Sequence, residues 1–118
     1  MLNEPSGPVL IDYPIEITTL SDIPGSTGLG SSSAFTVGLL HALYALKGQM
    51  VTKHTLACKA AAIEVDLLKR TMGKQDHFAS SYGNLNVFTF LEDEGVIVEP
   101  VFYHPEVPLN LEKKLLLF

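Results

Sequence analysis

The chain has 118 residues, one small domain's worth, of which 47% are hydrophobic and 18% charged, enough for a core and the wrong balance for disorder. Thirteen acidic against eight basic residues give a net charge of −5, which argues against a general nucleic-acid binder, whose affinity comes mainly from cations on phosphates. The lone Cys58 excludes an intramolecular disulfide framework and a cysteine-rich zinc site, and no apolar run or basic leader suggests a membrane span or signal peptide, so a soluble cytoplasmic protein is expected.

Residues 1–14 hold Pro5, Pro8 and Pro14 with Ser6 and Gly7 and read as a loop or ragged start. Residues 15–20 are β-branched and partly alternating, the pattern of a strand. Residues 21–30 form a loop with Pro24, Gly25, Gly28 and Gly30. From Ser32 to about Lys47 the pattern turns helical. Its apolar residues, among them Phe35, Val37, Leu40, Tyr44 and Leu46, cover nearly the whole circumference, which predicts a buried helix with His41 packed inside it. Gly48 fits the position just past that helix's end. A second helix is predicted from after Thr52 to about Leu68, with Leu56, Ala60, Ile63 and Leu67 on one face. Cys58, among alanines, reads there as a small buried hydrophobe.

Residues 85–91 alternate as a strand, residues 92–95 (Glu92, Asp93, Glu94, Gly95) form a hairpin turn, and residues 96–101 return as the partner. Pro105 and Pro108 break the chain again, and no internal repeat is visible. The apolar run of residues 115–118 reads as a buried strand in which the chain stops. That is the pattern of a fragment whose sheet edge invites pairing between copies, a homo-oligomer.

Six of the eight basic residues fall between positions 47 and 74, against only Glu64 and Asp66, a local net charge of +4. Such a run is either a solvated helix face or a positive field for an anionic ligand. The four histidines show no metal-ligand spacing.

The most informative stretch joins the predicted strand to the first helix: Pro24, Gly25, Ser26, Thr27, Gly28, Leu29, Gly30, Ser31, Ser32, Ser33, Ala34. Glycines let backbone approach a ligand, and the first turn of a helix offers unpaired N–H groups and the positive end of the dipole. Serine hydroxyls add donors, and one can ligate Mg²⁺. Rival motifs fail in detail. Ser31 stands where a Walker A loop needs lysine, Ser33 replaces the third glycine of a dinucleotide fingerprint, and no Gly-x-Ser-x-Gly elbow occurs. The plainer reading is a glycine-rich turn capped by Ser31 or Ser32.

Downstream, Glu64 lies in the second helix and Asp76 follows 12 residues later, after Gly73, Lys74 and Gln75. Phosphoryl transfer needs a cation to spread phosphate charge and usually a carboxylate near the attacking hydroxyl, and these two acids suit those roles. The plain alternatives are a surface Glu64 beside Lys69 and an Asp76 that caps a short helix. His77 draws notice only because it adjoins Asp76.

Residues 24–34, with Pro24 followed by Gly28, Leu29, Gly30, Ser31, Ser32, Ser33 and Ala34, resemble the phosphate-binding motif of the GHMP kinases. Residues 73–79 (Gly73, Lys74, Gln75, Asp76, His77, Phe78, Ala79), continuing to Asn86, are most similar to the sugar-kinase branch. The resemblance runs from about Ile15 to Phe118. It implies an α+β fold: a partial GHMP-kinase N-terminal domain, resembling a ribosomal-protein-like domain with a βαβ unit and a buried helix after the loop. That domain would span residues 15–104, with residues 105–118 the start of a C-terminal domain and truncation at both ends.

The resemblance further implies ATP and Mg²⁺ as cofactors. Thr27, Gly28, Leu29, Gly30, Ser31, Ser32, Ser33 and Ala34 would wrap the ATP phosphates, Ser32 and Glu64 would be Mg²⁺ ligands, and Asp76 would face the acceptor hydroxyl as catalytic base or electrostatic partner. The acceptor would be a small-molecule sugar or sugar phosphate of the heptose 7-phosphate kind. His77 stands where Gln is expected, and Asn84 where Gly is expected. The family's N-terminal substrate motif and C-terminal glycine-rich motif are both missing. A chain of this extent is therefore expected to be inactive alone; the alternative is a non-catalytic nucleotide- or phosphate-binding fragment that persists as an oligomer.

Overall fold

A computed structural model describes residues 7–22 and 28–116. The chain divides into two compact units, one ending at Gly83 and the other beginning at Asn84. The first carries three helices, α1 (Ser31–Leu46), α2 (Lys53–Ala62) and α3 (Gln75–Tyr82), and a π-helical turn (Ile63–Leu67) that continues α2. The second carries a two-stranded sheet, β1 (Asn86–Phe90) and β2 (Val96–Pro100), and a short helix α4 (Glu106–Glu112). Helices and an antiparallel sheet make this a small α+β chain.

α1 begins at Gly30, whose left-handed backbone (φ 69°) turns the loop into the helix and whose carbonyl takes the Ala34 N–H at 2.9 Å. It ends as the sequence predicts. Gly48 sits at φ 65°, its N–H bonds Ala45 O at 2.9 Å, and the Gln49 N–H reaches back to Tyr44 O at 2.9 Å. This paired closure satisfies two carbonyls of the last turn and needs the left-handed residue that glycine supplies without a Cβ clash. Thr52 then caps α2, its hydroxyl accepting the Thr55 N–H at 3.2 Å.

The core lies where α1 meets α2. Val37, Leu40, Tyr44, Leu56 and Ala60 are buried together, with Val9, Val51 and Ile63 packed at the edge. Burying each of the larger aliphatic side chains contributes about 1.5–3 kcal/mol. Ala57, Ala60 and Ala61 are also buried, and small side chains there let the neighbouring helices approach α2 closely. Tyr44 is fully buried and its hydroxyl accepts a 2.7 Å bond from Lys59 Nζ, which also reaches Gly7 O at 2.9 Å and holds the segment before Val9 against the core. On α3, Phe78 is buried, edge-on to His54 and stacked with Tyr82 one turn away.

Several expectations are corrected. α1 is not buried all round: among the described elements it packs on α2, the π turn and α3, and Phe35, Leu46 and His41 are exposed. Cys58 is exposed as well, because the buried face of α2 runs through Leu56, Ala57, Ala60 and Ala61. Leu67 is exposed, since the wider π turn takes it off the stripe of Leu56 and Ala60. Residues 15–20 form no strand and have no ladder partner among the described residues, so no βαβ unit is formed there. Without a neighbour to take its N–H and C=O groups, a β-prone segment stays irregular.

In the second unit β1 and β2 form the antiparallel hairpin that the sequence predicts, with Phe88 opposite Val98 and Leu91 and Gly95 closing the turn. Asn84 adopts φ 58°, the left-handed conformation that asparagine tolerates best after glycine. That conformation accounts for asparagine serving where the family resemblance expects glycine. Residues 105–112 do not simply break the chain: Pro105 and Pro108 lie at the cap and in the first turn of α4, where no intrahelical N–H is needed. Leu115 and Leu116 are exposed and outside any strand, while residues 117–118 lie outside the described residues. Among the described residues no helix is long and apolar enough to cross a membrane.

Thr52→Ala removes the α2 cap and should lower stability by about 1 kcal/mol, read as a lower urea midpoint at unchanged slope.

Candidate functional site

The first turn of α1 has no side-chain cap and no acidic residue, so the amides of Ser31, Ser32 and Ser33 are left without intrahelical acceptors. Neither Ser31 nor Ser32 is the N-cap; Gly30 is, and this leaves the serine hydroxyls to other partners. Gly28, Gly30, Ser31, Ser32 and Ser33 line a cavity of about 570 Å³, together with Arg70, Met72 and Asp76. Leu29 and Ala34 are exposed beside it and do not line it. Thr27 lies outside the described residues.

Gly30 is the closest approach of loop to acid. A Cβ at its position would stand 3.2 Å from Asp76 Cγ and 3.3 Å from Oδ2, and the left-handed backbone adds strain for any other residue. Asp76 is exposed in the first turn of α3 and is not its cap; Lys74 holds that place. The positive end of the helix dipole favours a carboxylate there.

Glu64 is not a surface residue. Its side chain is 1% exposed, on the π turn, facing α1. Ser32 Oγ donates to Glu64 Oε1 at 2.8 Å. The Thr36 hydroxyl, one turn along α1, lies 2.5 Å from the same oxygen and 3.0 Å from Ser32 O. Its single proton goes to the charged oxygen, the stronger acceptor. Oε2 has no hydrogen-bond partner among the described residues; it faces His77 Nε2 at 3.7 Å and Arg70 Nη1 at 4.0 Å. Burial pushes the Glu64 carboxyl up, but the hydrogen bonds from Thr36 and Ser32 and the charges of His77 and Arg70 outweigh it and hold it below the usual range.

Local backbone geometry makes this arrangement. In the π turn the Leu68 N–H bonds Ile63 O instead of Glu64 O, so the Glu64 carbonyl takes the Arg70 N–H at 2.9 Å. Lys69 bends the chain between them through φ 53°. Arg70 is thereby returned to the site, where Nη1 donates to Ser32 Oγ at 2.5 Å.

Sequence reading missed Arg70, Thr36 and the buried position of His77. Thr36 was recoverable, four residues after Ser32 on one helix face. Arg70 belongs to the basic run, most of which is occupied elsewhere: Lys47 pairs with Asp12, Lys53 bonds Tyr82 O, and Lys59 bonds Tyr44. Both ring nitrogens of the fully buried His77, and the hydroxyl of fully buried Ser33, lack hydrogen-bond partners among the described residues. No three His, Cys, Asp or Glu groups gather into a metal site among the described residues. Ser32 and Glu64 nonetheless form an oxygen donor pair that fits Mg²⁺, which takes few protein ligands and completes its shell with phosphate and water.

Because the folded-state pKa of Glu64 is depressed, its contribution to stability is present above the ordinary glutamate pKa, about 4.3, and is lost as pH falls through the lower folded value. Glu64→Gln should therefore melt below wild type near neutral pH, and the gap should narrow below about pH 4, measured as Tm against pH.

Residues 2–84 match the GHMP kinases N terminal domain. Over 100 residues the chain is 31% identical to the D-glycero-alpha-D-manno-heptose 7-phosphate kinase of Campylobacter jejuni, an alignment covering 85% of this chain and 30% of that protein. The chain thus spans less than a third of that relative's length. No solved structure matches it. With the family's N-terminal domain matched over most of this chain, the loop and Asp76 lining one cavity and Ser32 of that loop bonded to the buried Glu64, the chain belongs to the GHMP kinases.

Proposed function

We propose that this chain carries the phosphate-binding part of a kinase that moves the γ-phosphate of ATP to a hydroxyl of a sugar or sugar phosphate. The observation that carries the reading is the convergence of three separated groups. Ser32 bonds Glu64 across 32 residues, while Gly30 seats the same loop against the Asp76 carboxylate. An acceptor of the heptose 7-phosphate kind is supported by the named relative from Campylobacter jejuni.

In this reading residues 27–34 wrap the ATP phosphates through backbone N–H groups and serine hydroxyls. Ser32 and Glu64 would hold Mg²⁺, which supplies charge neutralisation at the phosphates. Asp76, exposed beside the loop, orients the acceptor hydroxyl and takes its proton as the new O–P bond forms and the bond from the γ-phosphorus to the β,γ-bridging oxygen breaks, releasing ADP. Thr36 and His77 stay behind Glu64 and fix its orientation.

Calorimetric titration with Mg-ADP and Mg-ATP tests the binding half: wild type should bind, and Ser32→Ala should bind roughly tenfold more weakly. For the chemistry, Asp76→Asn in a chain completed to the length of the Campylobacter jejuni relative should lower transfer to heptose 7-phosphate by roughly 10²- to 10⁴-fold while Mg-ADP affinity stays within a few-fold. Equal turnover in the two proteins would remove Asp76 from the mechanism. Binding without transfer to any of a panel of sugar phosphates would favour a nucleotide-binding fragment instead.

A further inference from the structure

Arg70 occupies a position that the roles above leave unexplained. Among the described residues it is the cationic side chain lining the cavity of the glycine-serine loop. One of its nitrogens, Nη1, is spent on Ser32 Oγ at 2.5 Å and stands 4.0 Å from Glu64 Oε2. A guanidinium has five N–H donors in a planar fork, and the remaining ones have no protein partner among the described residues. The side chain is 52% exposed, whereas the Glu64 it faces is 1% exposed. Its backbone is tied to Glu64 O at 2.9 Å, which anchors the base of the side chain beside the buried acid.

We propose that Arg70 is a phosphate-binding residue that shares its place with the divalent cation. Without phosphate, its guanidinium balances the Glu64 carboxylate. A nucleotide phosphate draws the fork into the cavity and leaves the Ser32 and Glu64 oxygens to the cation. The chemistry is that of bidentate arginine–phosphate recognition, in which a planar fork meets two oxygens. The proposal rests on the kinase reading above and adds a consequence of opposite sign for its two ligands. Removing the guanidinium weakens phosphate binding, yet relieves a charge that competes with the metal for Glu64.

The test uses wild type, Arg70→Gln and Arg70→Lys, with two probes applied separately. Inorganic pyrophosphate, free of divalent ions, is titrated by calorimetry; Mn²⁺ alone, free of nucleotide, is followed by electron paramagnetic resonance. In Arg70→Gln pyrophosphate binding should weaken by roughly 10- to 100-fold and Mn²⁺ binding should tighten by roughly 3- to 10-fold. Arg70→Lys keeps the charge without the fork, so pyrophosphate should still weaken by a few-fold while Mn²⁺ binding stays as in wild type.

Unchanged pyrophosphate affinity in both variants, with wild type binding normally, overturns the proposal and leaves the loop's role standing. Weaker Mn²⁺ binding in Arg70→Gln also overturns it, because Arg70 would then brace the metal ligands instead of competing with the metal. If Arg70→Gln does not fold, Arg70→Lys carries the comparison. A wild type that binds neither pyrophosphate nor Mg-ADP overturns the kinase reading and this proposal together.

Discussion

The hydrogen bond from Ser32 to Glu64 is the interaction on which the first unit's site depends. A carboxylate at 1% exposure is costly unless its charge is met by donors and cations. Here the donors come from the first two turns of α1 and the nearby charges from α3 and the segment after the π turn. Satisfying one buried charge therefore fixes four pieces of chain against each other. The same requirement explains why α1 carries polar Ser32 and Thr36 on the side that faces the π turn, where a purely apolar helix would leave Glu64 without donors.

A second constraint is backbone geometry. An ordinary α-helical continuation of α2 would close the Glu64 carbonyl with the Leu68 N–H. The π turn gives that amide to Ile63 and hands the Glu64 carbonyl to Arg70. With the left-handed Lys69 between them, the chain reverses within three residues and brings a cation back over its own glutamate. Such irregular turns are concentrated at functional sites because they aim side chains that a regular helix would send elsewhere. On the other side of the cavity Gly30 performs the matching task, its missing side chain leaving room for Asp76.

Much of this was legible in the sequence, for identifiable reasons. The first two helices, the Gly48 closure, the Thr52 start and the hairpin are encoded by local signals: periodicity, a glycine that must be left-handed, a hydroxyl at a cap and an alternating pair of segments around an acidic turn. That residues 28–33 and Asp76 line one cavity, and that Ser32 of the loop meets Glu64, follows from a glycine-serine loop that opens α1 and two acids on the elements packed against it. Arg70 was hidden in a run of like charges, and nothing local separates a cation that returns to a buried acid from one that sits on a surface. The burial of His77 was hidden in the same way, because it follows from α3 packing on α1 and α2. Exposure failed in the opposite direction. Apolar content predicted burial around the whole of α1 and at Leu115 and Leu116, but burial requires a partner, and among the described residues α1 has partners on one side only.

The two acids finally differ in a way that their spacing does not reveal. Asp76 is exposed at the start of a helix, where the dipole favours its charge and solvent and small molecules can reach it. Glu64 is enclosed, hydrogen-bonded on one oxygen and ion-paired on the other, with its proton affinity pulled down by those partners. A group that must exchange a proton with an acceptor hydroxyl needs access, and a group that must stay ionised beside a cation needs depressed basicity and a fixed position. Access for one carboxylate and enclosure for the other suit the two to different work. Asp76 is the acid open to the cavity, Glu64 is the enclosed one, and Ser32 is the hydroxyl through which the glycine-serine loop touches the second of them.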